Sequence, residues 1–305
     1  MPQYSVVVPV YNGAETVYAL YKKTAEFFQN NNLNFEIIFV DDASKDNSWN
    51  TLKDLKAQFG STVKIFRLAR NAGQQKATLC GINQSMGEFI ITIDDDLQTH
   101  PVEIEKLIKQ QQLTNADLVY GVYALKKHSF LRNTGSKIVN WFFNTFSNTY
   151  GNGSSFRLIK ISTTENLKSV YQKHLLLDEI LCWYTDNITH IEVEHHNSIK
   201  GKSQYSTVKL LFITLSYILS YTIIPLRLMT YTGLLFSIIT FFIGIYYIYQ
   251  KLFSYVELGF TSLIVAISFS TSLILFALGI IGEYITRLYS KENSKPIYII
   301  KESEI

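Results

Sequence analysis

The chain has 305 residues, 47% of them hydrophobic, and a formal net charge of +3. That length buries one large core or two smaller ones, and so small a charge gives no ground for a nucleic-acid partner. Two distant cysteines, Cys80 and Cys182, exclude a disulfide framework.

The N-terminal stretch "MPQYSVVVPVYN" has no basic segment ahead of its apolar run, so it reads as a strand and not as a cleavable signal peptide. From there the pattern alternates. Strands are expected at 4–9, 35–40, 63–68, 88–93 and 117–121, and helices at 15–31, 46–59, 74–86 and 101–113. Pro101 suits the first turn of its helix. A βαβα order predicts an α/β fold with a largely parallel sheet covered on both faces. Ligands of such sheets bind outside the carboxyl ends of the strands.

Carboxylates fall at those ends. Asp41 and Asp42 follow the second strand, and Asp94, Asp95 and Asp96 follow the fourth, in "FIITIDDDLQTHP". Side chains alternate along an extended chain, so Asp94 and Asp96 share one face and Asp95 takes the other. Two carboxylates aimed at one spot repel unless a cation separates them. Mg2+ or Mn2+, held by Asp94 and Asp96 with Gln98 as a further oxygen donor, resolves the conflict when a substrate diphosphate completes the shell. The alternative is a solvated turn capping the helix at Pro101. A lone Gly13 in "VPVYNGAET" provides neither a P-loop nor a dinucleotide fingerprint. The six histidines show no zinc-binding spacing.

Beyond Val208 the chain changes character. Charge-free runs at 228–249 and 258–282 each exceed the roughly 20 residues that cross a bilayer. Their basic flanks (Lys209 and Arg227 before, Arg287, Lys291 and Lys295 after) place both ends on the cytoplasmic side by the positive-inside rule. The run 210–226, with Pro225, reads as an interfacial amphipathic helix or two short ones. The expected division is a cytoplasmic catalytic domain at 1–206, interfacial helices at 207–227, a two-helix transmembrane hairpin at 228–284 and a cytoplasmic tail at 285–305. Two smaller features stay open. The aromatics Trp141, Phe142, Phe143, Phe146 and Tyr150 suit core packing or a membrane-facing acceptor site. Lys126, Lys127, His128 and Arg132 suit a solvated loop or contact with anionic headgroups.

The stretches "SVVVPVYN", "EIIFVDDASKDNS", "LARNAGQQKA", "GEFIITIDDDLQTHP", "FRLI", "GKSQYS", "PLRL" and "LGIIGEYITRLY" resemble, in order, the family 2 glycosyltransferases of the GT-A fold. Within them the chain is similar to the membrane-bound polyprenyl-phosphate glycosyltransferases, the group of dolichol-phosphate-mannose synthase and bactoprenol glucosyltransferase. The resemblance implies an inverting, metal-dependent enzyme at the cytoplasmic membrane. Its partners are a nucleotide-sugar donor, a polyprenyl-phosphate or lipid-linked acceptor and membrane lipids, with a homo-oligomer as a further expectation. Pro9 and Tyr11 would border the base, with Asp41 and Asp42 near base or ribose. Arg70, Asn71 and Gly73 would line the donor pocket, and Asp95 is counted with them. Arg157 and the loop residues Lys200, Lys202, Ser203 and Tyr205 would bind phosphates.

Two positions depart from the family pattern. Gly13 stands where the family often has Glu, with Glu15 as a replacement contact. Ser155 stands where "GDFR" would supply an acid. A phosphate acceptor is already ionised and hardly needs a base, whereas a hydroxyl acceptor does. Asp178 and Glu179, in "LLLDEILCW", either serve as that base or are acids favoured by a helix N-terminus. The acceptor is therefore a polyprenyl phosphate or a hydroxyl of a lipid-linked saccharide. A non-catalytic membrane scaffold on a transferase fold is the reading from another class.

Overall fold

The computed structural model describes residues 2–123, 154–169, 177–194, 259–292 and 296–305, with scattered helical positions between 231 and 253. The chain forms two compact units, Met1–Gln204 together with Lys295–Ile305, and Tyr205–Ser294.

The first unit is built on an eight-stranded mixed sheet. Its strands are β1 (Tyr4–Val10), β2 (Phe35–Asp41), β3 (Val63–Leu68), β4 (Phe89–Thr92), β5 (Leu118–Tyr123), β6 (Arg157–Lys160), β7 (Ile188–Val193) and β8 (Ile300–Glu304). The order is β7-β5-β6-β4-β1-β2-β3-β8. Strands β4, β1, β2 and β3 run parallel, as does the β5–β7 pair. β6 is antiparallel to both its neighbours, and β8 is antiparallel to β3.

Every residue of β1 is buried, the mark of a central strand covered on both faces. Alternation sorts its side chains. Tyr4, Val6, Val8 and Val10 join a layer with Val17, Leu20 and Phe28 of α1 (Val17–Asn30), Leu52 and Leu55 of α2 (Ser48–Phe59) and Leu107 of α4 (Ile104–Thr114). Val7 points the other way, with Ala77 and Cys80 of α3 (Gln74–Asn83) and Leu177 and Leu181 of α5 (Leu177–Tyr184).

Local chemistry shifts two helix boundaries from their expected places. α2 begins at Ser48 with Asn47 as its N-cap, and Asp46, one residue earlier, accepts from Ser48 N through Oδ1 at 3.1 Å. α3 ends at Asn83: the amides of Gln84 and Ser85 turn back onto Gly81 O and Ile82 O at 3.1 Å, and the two after them are used elsewhere. Met86 N donates to Glu36 Oε1 at 2.8 Å and Gly87 N to Ser5 Oγ at 2.8 Å. Glu36, paired with Lys64 at 2.6 Å, is itself buried and takes the Met86 amide and the Ser5 hydroxyl (2.6 Å) as donors to satisfy its charge.

β6, β7 and β8 are strands that the sequence pattern did not announce. The expected tail 285–305 ends in β8, which is part of the sheet. In the second unit α6 spans Phe260–Glu292. Among the described residues no helix is long and apolar enough to cross a membrane. The structure therefore does not display the expected transmembrane hairpin, and most of the run 228–249 lies outside the described residues, as do the interfacial segment 207–227 and positions 124–153.

Candidate active site

The carboxyl ends of β1, β2 and β4 bring the sequence-predicted acids to one edge of the sheet. Val10 and Asp41 are in register, and Asp42 N donates to Val10 O at 2.8 Å, so the loops leaving β1 and β2 are tied together. Pro9 is buried inside β1, while Tyr11 and Glu15 are exposed on the connection that follows. Gly13 is buried, with its N–H donating to Ser48 Oγ at 2.8 Å.

Asp41 and Asp42 serve the protein's own loops. Asp41 is 0% exposed; Oδ1 accepts from Ser44 N at 3.0 Å, and Oδ2 faces Arg67 Nε at 3.2 Å. Asp42 accepts from Ala72 N at 2.6 Å and from Gly73 N at 2.8 Å. Burial, with the neighbouring Asp41 charge, holds its carboxyl above the usual range despite those two donors. Asp42 thereby fixes the loop carrying Arg70, Asn71 and Gly73, while Asp41 holds the turn at Ser44. Arg70 and Asn71 are exposed on it, and Gly73 has φ 96°, a conformation that favours glycine.

β4 ends at Thr92, and the acids follow in a turn. Asp95 is buried, whereas Asp94 and Asp96 are partly exposed, the alternation expected from the sequence. Asp96 Oδ1 accepts from Gln98 N at 3.0 Å. Asp94 is held at both oxygens, with Gln74 Nε2 donating to Oδ1 at 2.6 Å and Ser155 Oγ donating to Oδ2 at 2.7 Å. Its carboxyl is pushed up by burial and by the like charge of Asp96, against the pull of Ser155, Arg157 and Gln74. Two hard oxygen donors that repel each other fit a divalent cation. No group of three or more His, Cys, Asp or Glu that could hold a metal occurs among the described residues. Any cation on Asp94 and Asp96 therefore needs other oxygens, as from Gln98 or a bound diphosphate.

β6 supplies what the sequence reading did not foresee. By pairing antiparallel with β4, it sets Arg157 opposite Thr92 and Ser155 beside Asp94. Arg157 is 3% exposed. Its Nε donates to Thr92 Oγ1 at 3.2 Å, its Nη1 pairs with Asp178, and its guanidinium lies 5.9 Å from the Tyr120 ring centroid. Arg157 is thus an internal brace, and Asp178 is its counter-ion. Glu179, on the first turn of α5, is buried, and burial raises its carboxyl to about 7. Gln74 was missed as a site residue although it lies within "LARNAGQQKA", and its proximity to Asp94 depends on how α3 docks. Lys200, Lys202, Ser203 and Tyr205 lie outside the described residues.

The model of the "Glycosyl transferase family 2" domain matches residues 5–168, more than half of the chain. The chain belongs to glycosyl transferase family 2. It is a glycosyltransferase, and the α/β sheet above is its catalytic fold. A second model, "GtrB C-terminal hairpin", matches residues 224–288 of the transferase. The relatives run its whole length. The SfII prophage-derived bactoprenol glucosyl transferase of Shigella flexneri is 31% identical over 98% of this chain and 97% of its own. The undecaprenyl-phosphate 4-deoxy-4-formamido-L-arabinose transferase of Serratia proteamaculans is 31% identical over 98% and 93%. The glycosyltransferase YkcC of Bacillus subtilis is 30% identical over 99% and 94%.

Proposed function

We propose that this transferase moves a sugar from a nucleotide-sugar donor to a polyprenyl phosphate of the undecaprenyl type, with inversion, at the cytoplasmic face of the membrane. The observation that carries the choice of acceptor is the full-length likeness to relatives whose names specify bactoprenol or undecaprenyl phosphate, together with the match to the GtrB hairpin. Ser155, which stands where the family pattern has an acid, donates to Asp94, so no carboxylate stands there to take a proton. Taken alone that departure favours a hydroxyl acceptor with a base elsewhere; it is compatible with an acceptor phosphate, which supplies its own charged oxygen and needs no such base.

Asp94 and Asp96, with Gln98, would hold Mg2+ or Mn2+, which when bound neutralises the diphosphate leaving group. The chain's own residues do the rest. Gln74 and Ser155 orient Asp94, Asp42 fixes the Arg70–Gly73 loop along the donor, and Tyr11 offers an exposed ring to the base. Lys200, Lys202, Ser203 and Tyr205 extend the phosphate-binding surface in this reading. The segment 228–284 anchors the enzyme as a two-helix hairpin. Support comes from the hairpin match and from the apolar residues that this unit leaves exposed, among them Phe242, Leu263, Ile267, Phe276 and Leu278.

A second reading has its own observation. Glu179, titrating near neutrality, is suited to deprotonate a hydroxyl acceptor on a lipid-linked saccharide. Radiolabelled nucleotide sugars, incubated with membranes containing polyprenyl phosphate, decide between them. Label should enter the lipid fraction and be released by mild acid as a monosaccharide, as expected of a sugar on a single phosphodiester. Label released as a larger saccharide would give the second reading instead.

A further inference from the structure

A side-chain relay crosses three strands at the sheet's edge. Asp41 on β2 is in register with Arg67 on β3, and Arg67 with Glu302 on β8. Arg67 Nε lies 3.2 Å from Asp41 Oδ2, and its Nη1 lies 3.6 Å from Glu302 Oε1. Glu302 is fixed from a second side, since Trp49 Nε1 donates to its Oε2 at 3.0 Å. The same indole carries the Arg67 guanidinium, 5.6 Å from the ring centroid. Lys53 and Lys301 also face Glu302, at 3.8 and 3.6 Å.

From Asp41 the connections run onward to the loops at the strand ends. Ser44 N donates to Asp41 Oδ1, and Asn12 N donates to Ser44 Oγ at 2.9 Å. Lys45 N returns to Asn12 Oδ1 at 3.0 Å. Two non-glycine residues in this stretch, Asn12 (φ 51°) and Ala43 (φ 55°), sit in the left-handed region. Such conformations persist where the surroundings over-determine them. A fully buried Asp41 demands a fixed counter-charge, because an unpaired carboxylate there would be strongly disfavoured. Arg67 supplies that charge, and it is a quarter exposed on a long, mobile side chain.

We propose that Glu302, on the C-terminal strand, is a positioning residue for the donor pocket: it holds Arg67 against Asp41 and so fixes the loops at 11–13 and 42–46. The inference rests on the reading above, in which those loops face the nucleotide. Its consequence is that the last strand, which follows the hydrophobic segment in sequence, is part of the donor-binding machinery and not a loose tail.

The test uses the full chain in detergent with Mn2+, and uridine and guanosine diphosphates as calorimetric probes. Glu302→Gln keeps an acceptor for Trp49 and removes the charge. It should weaken binding of whichever nucleotide the wild type takes, and raise donor KM, by about three- to tenfold with kcat within about twofold. Glu304→Gln, on the same strand but outside the relay, should match wild type. Adding Glu302→Gln to Arg67→Gln, which leaves no cation for Glu302 to hold, should cost nothing further, because the first acts through the second. Wild-type affinity in Glu302→Gln, or full additivity in the double variant, overturns the inference and leaves the donor-site reading standing. If the wild type binds neither diphosphate, the donor-site reading falls and this inference with it.

Discussion

Two neutral donors, Gln74 and Ser155, hold the oxygens of Asp94, and a buried Arg157 lies nearby. The acids at the ends of β2 and β4 were legible in the sequence because a charge that terminates an apolar strand needs a reason. Their separate duties were not legible. Asp41 and Asp42 look alike in "VDDAS", yet Asp41 pairs with Arg67 and Asp42 with two backbone amides. Which partner each finds depends on β3 and on the loop before α3, both distant in sequence. The Asp178–Glu179 pair divides in the same way, Asp178 to Arg157 and Glu179 to a buried position. Glu179 supports a prediction about pH. Its carboxyl titrates at its ordinary 4.5 when unfolded and at about 7 when folded. The folded protein therefore binds the extra proton between those values, and stability contributed by this group declines as pH rises through that window. Thermal melts of Glu179→Gln should lose that part of the slope. If the acceptor is a phosphate, the same variant should keep turnover within about tenfold, whereas loss of a general base costs about 10²–10⁴-fold.

Among the elements, β1 to β5 and α1 to α4 were readable because each carries a continuous apolar run or a clear helical stripe bounded by turn residues. β6 and β8 were not. β6 has four residues, "RLIK", and functions by inserting antiparallel between β4 and β5. β8, "IKESE", has one apolar residue in five and buries none of the five fully. Its place is specified by pairing to β3 and by Glu302, a long-range arrangement that leaves no period in the sequence. The close approach of α3 to the sheet is equally hidden. A Cβ on Gly81 would lie 2.3 Å from Val7 Cγ1 and 3.3 Å from Val40 Cγ2. Gly81→Ala is therefore expected to destabilise the protein by about 1–3 kcal/mol through overpacking. Chemical denaturation should show a lower midpoint with an unchanged slope, and an unchanged midpoint would show that α3 can retreat without cost.

The molecule as a whole joins a family 2 catalytic sheet to a hydrophobic C-terminal segment that matches the GtrB hairpin. In the sequence, the charge-free runs set the C-terminal segment apart from the alternating pattern before it. The return of the chain into the catalytic sheet after that segment was not announced. In the proposed function, the hairpin keeps enzyme and lipid acceptor together, which raises their effective concentration. The acidic strand end then has one purpose, to hold a cation on the donor diphosphate. Sugar transfer to membrane-embedded polyprenyl phosphate, measured for wild type and Asp96→Asn with EDTA and after Mn2+ is restored, tests this most directly. Wild-type transfer should vanish in EDTA and return with Mn2+, while Asp96→Asn should melt like wild type yet transfer sugar about 10²–10³-fold more slowly. Transfer that persists in EDTA, or an Asp96→Asn enzyme of normal turnover, would contradict it.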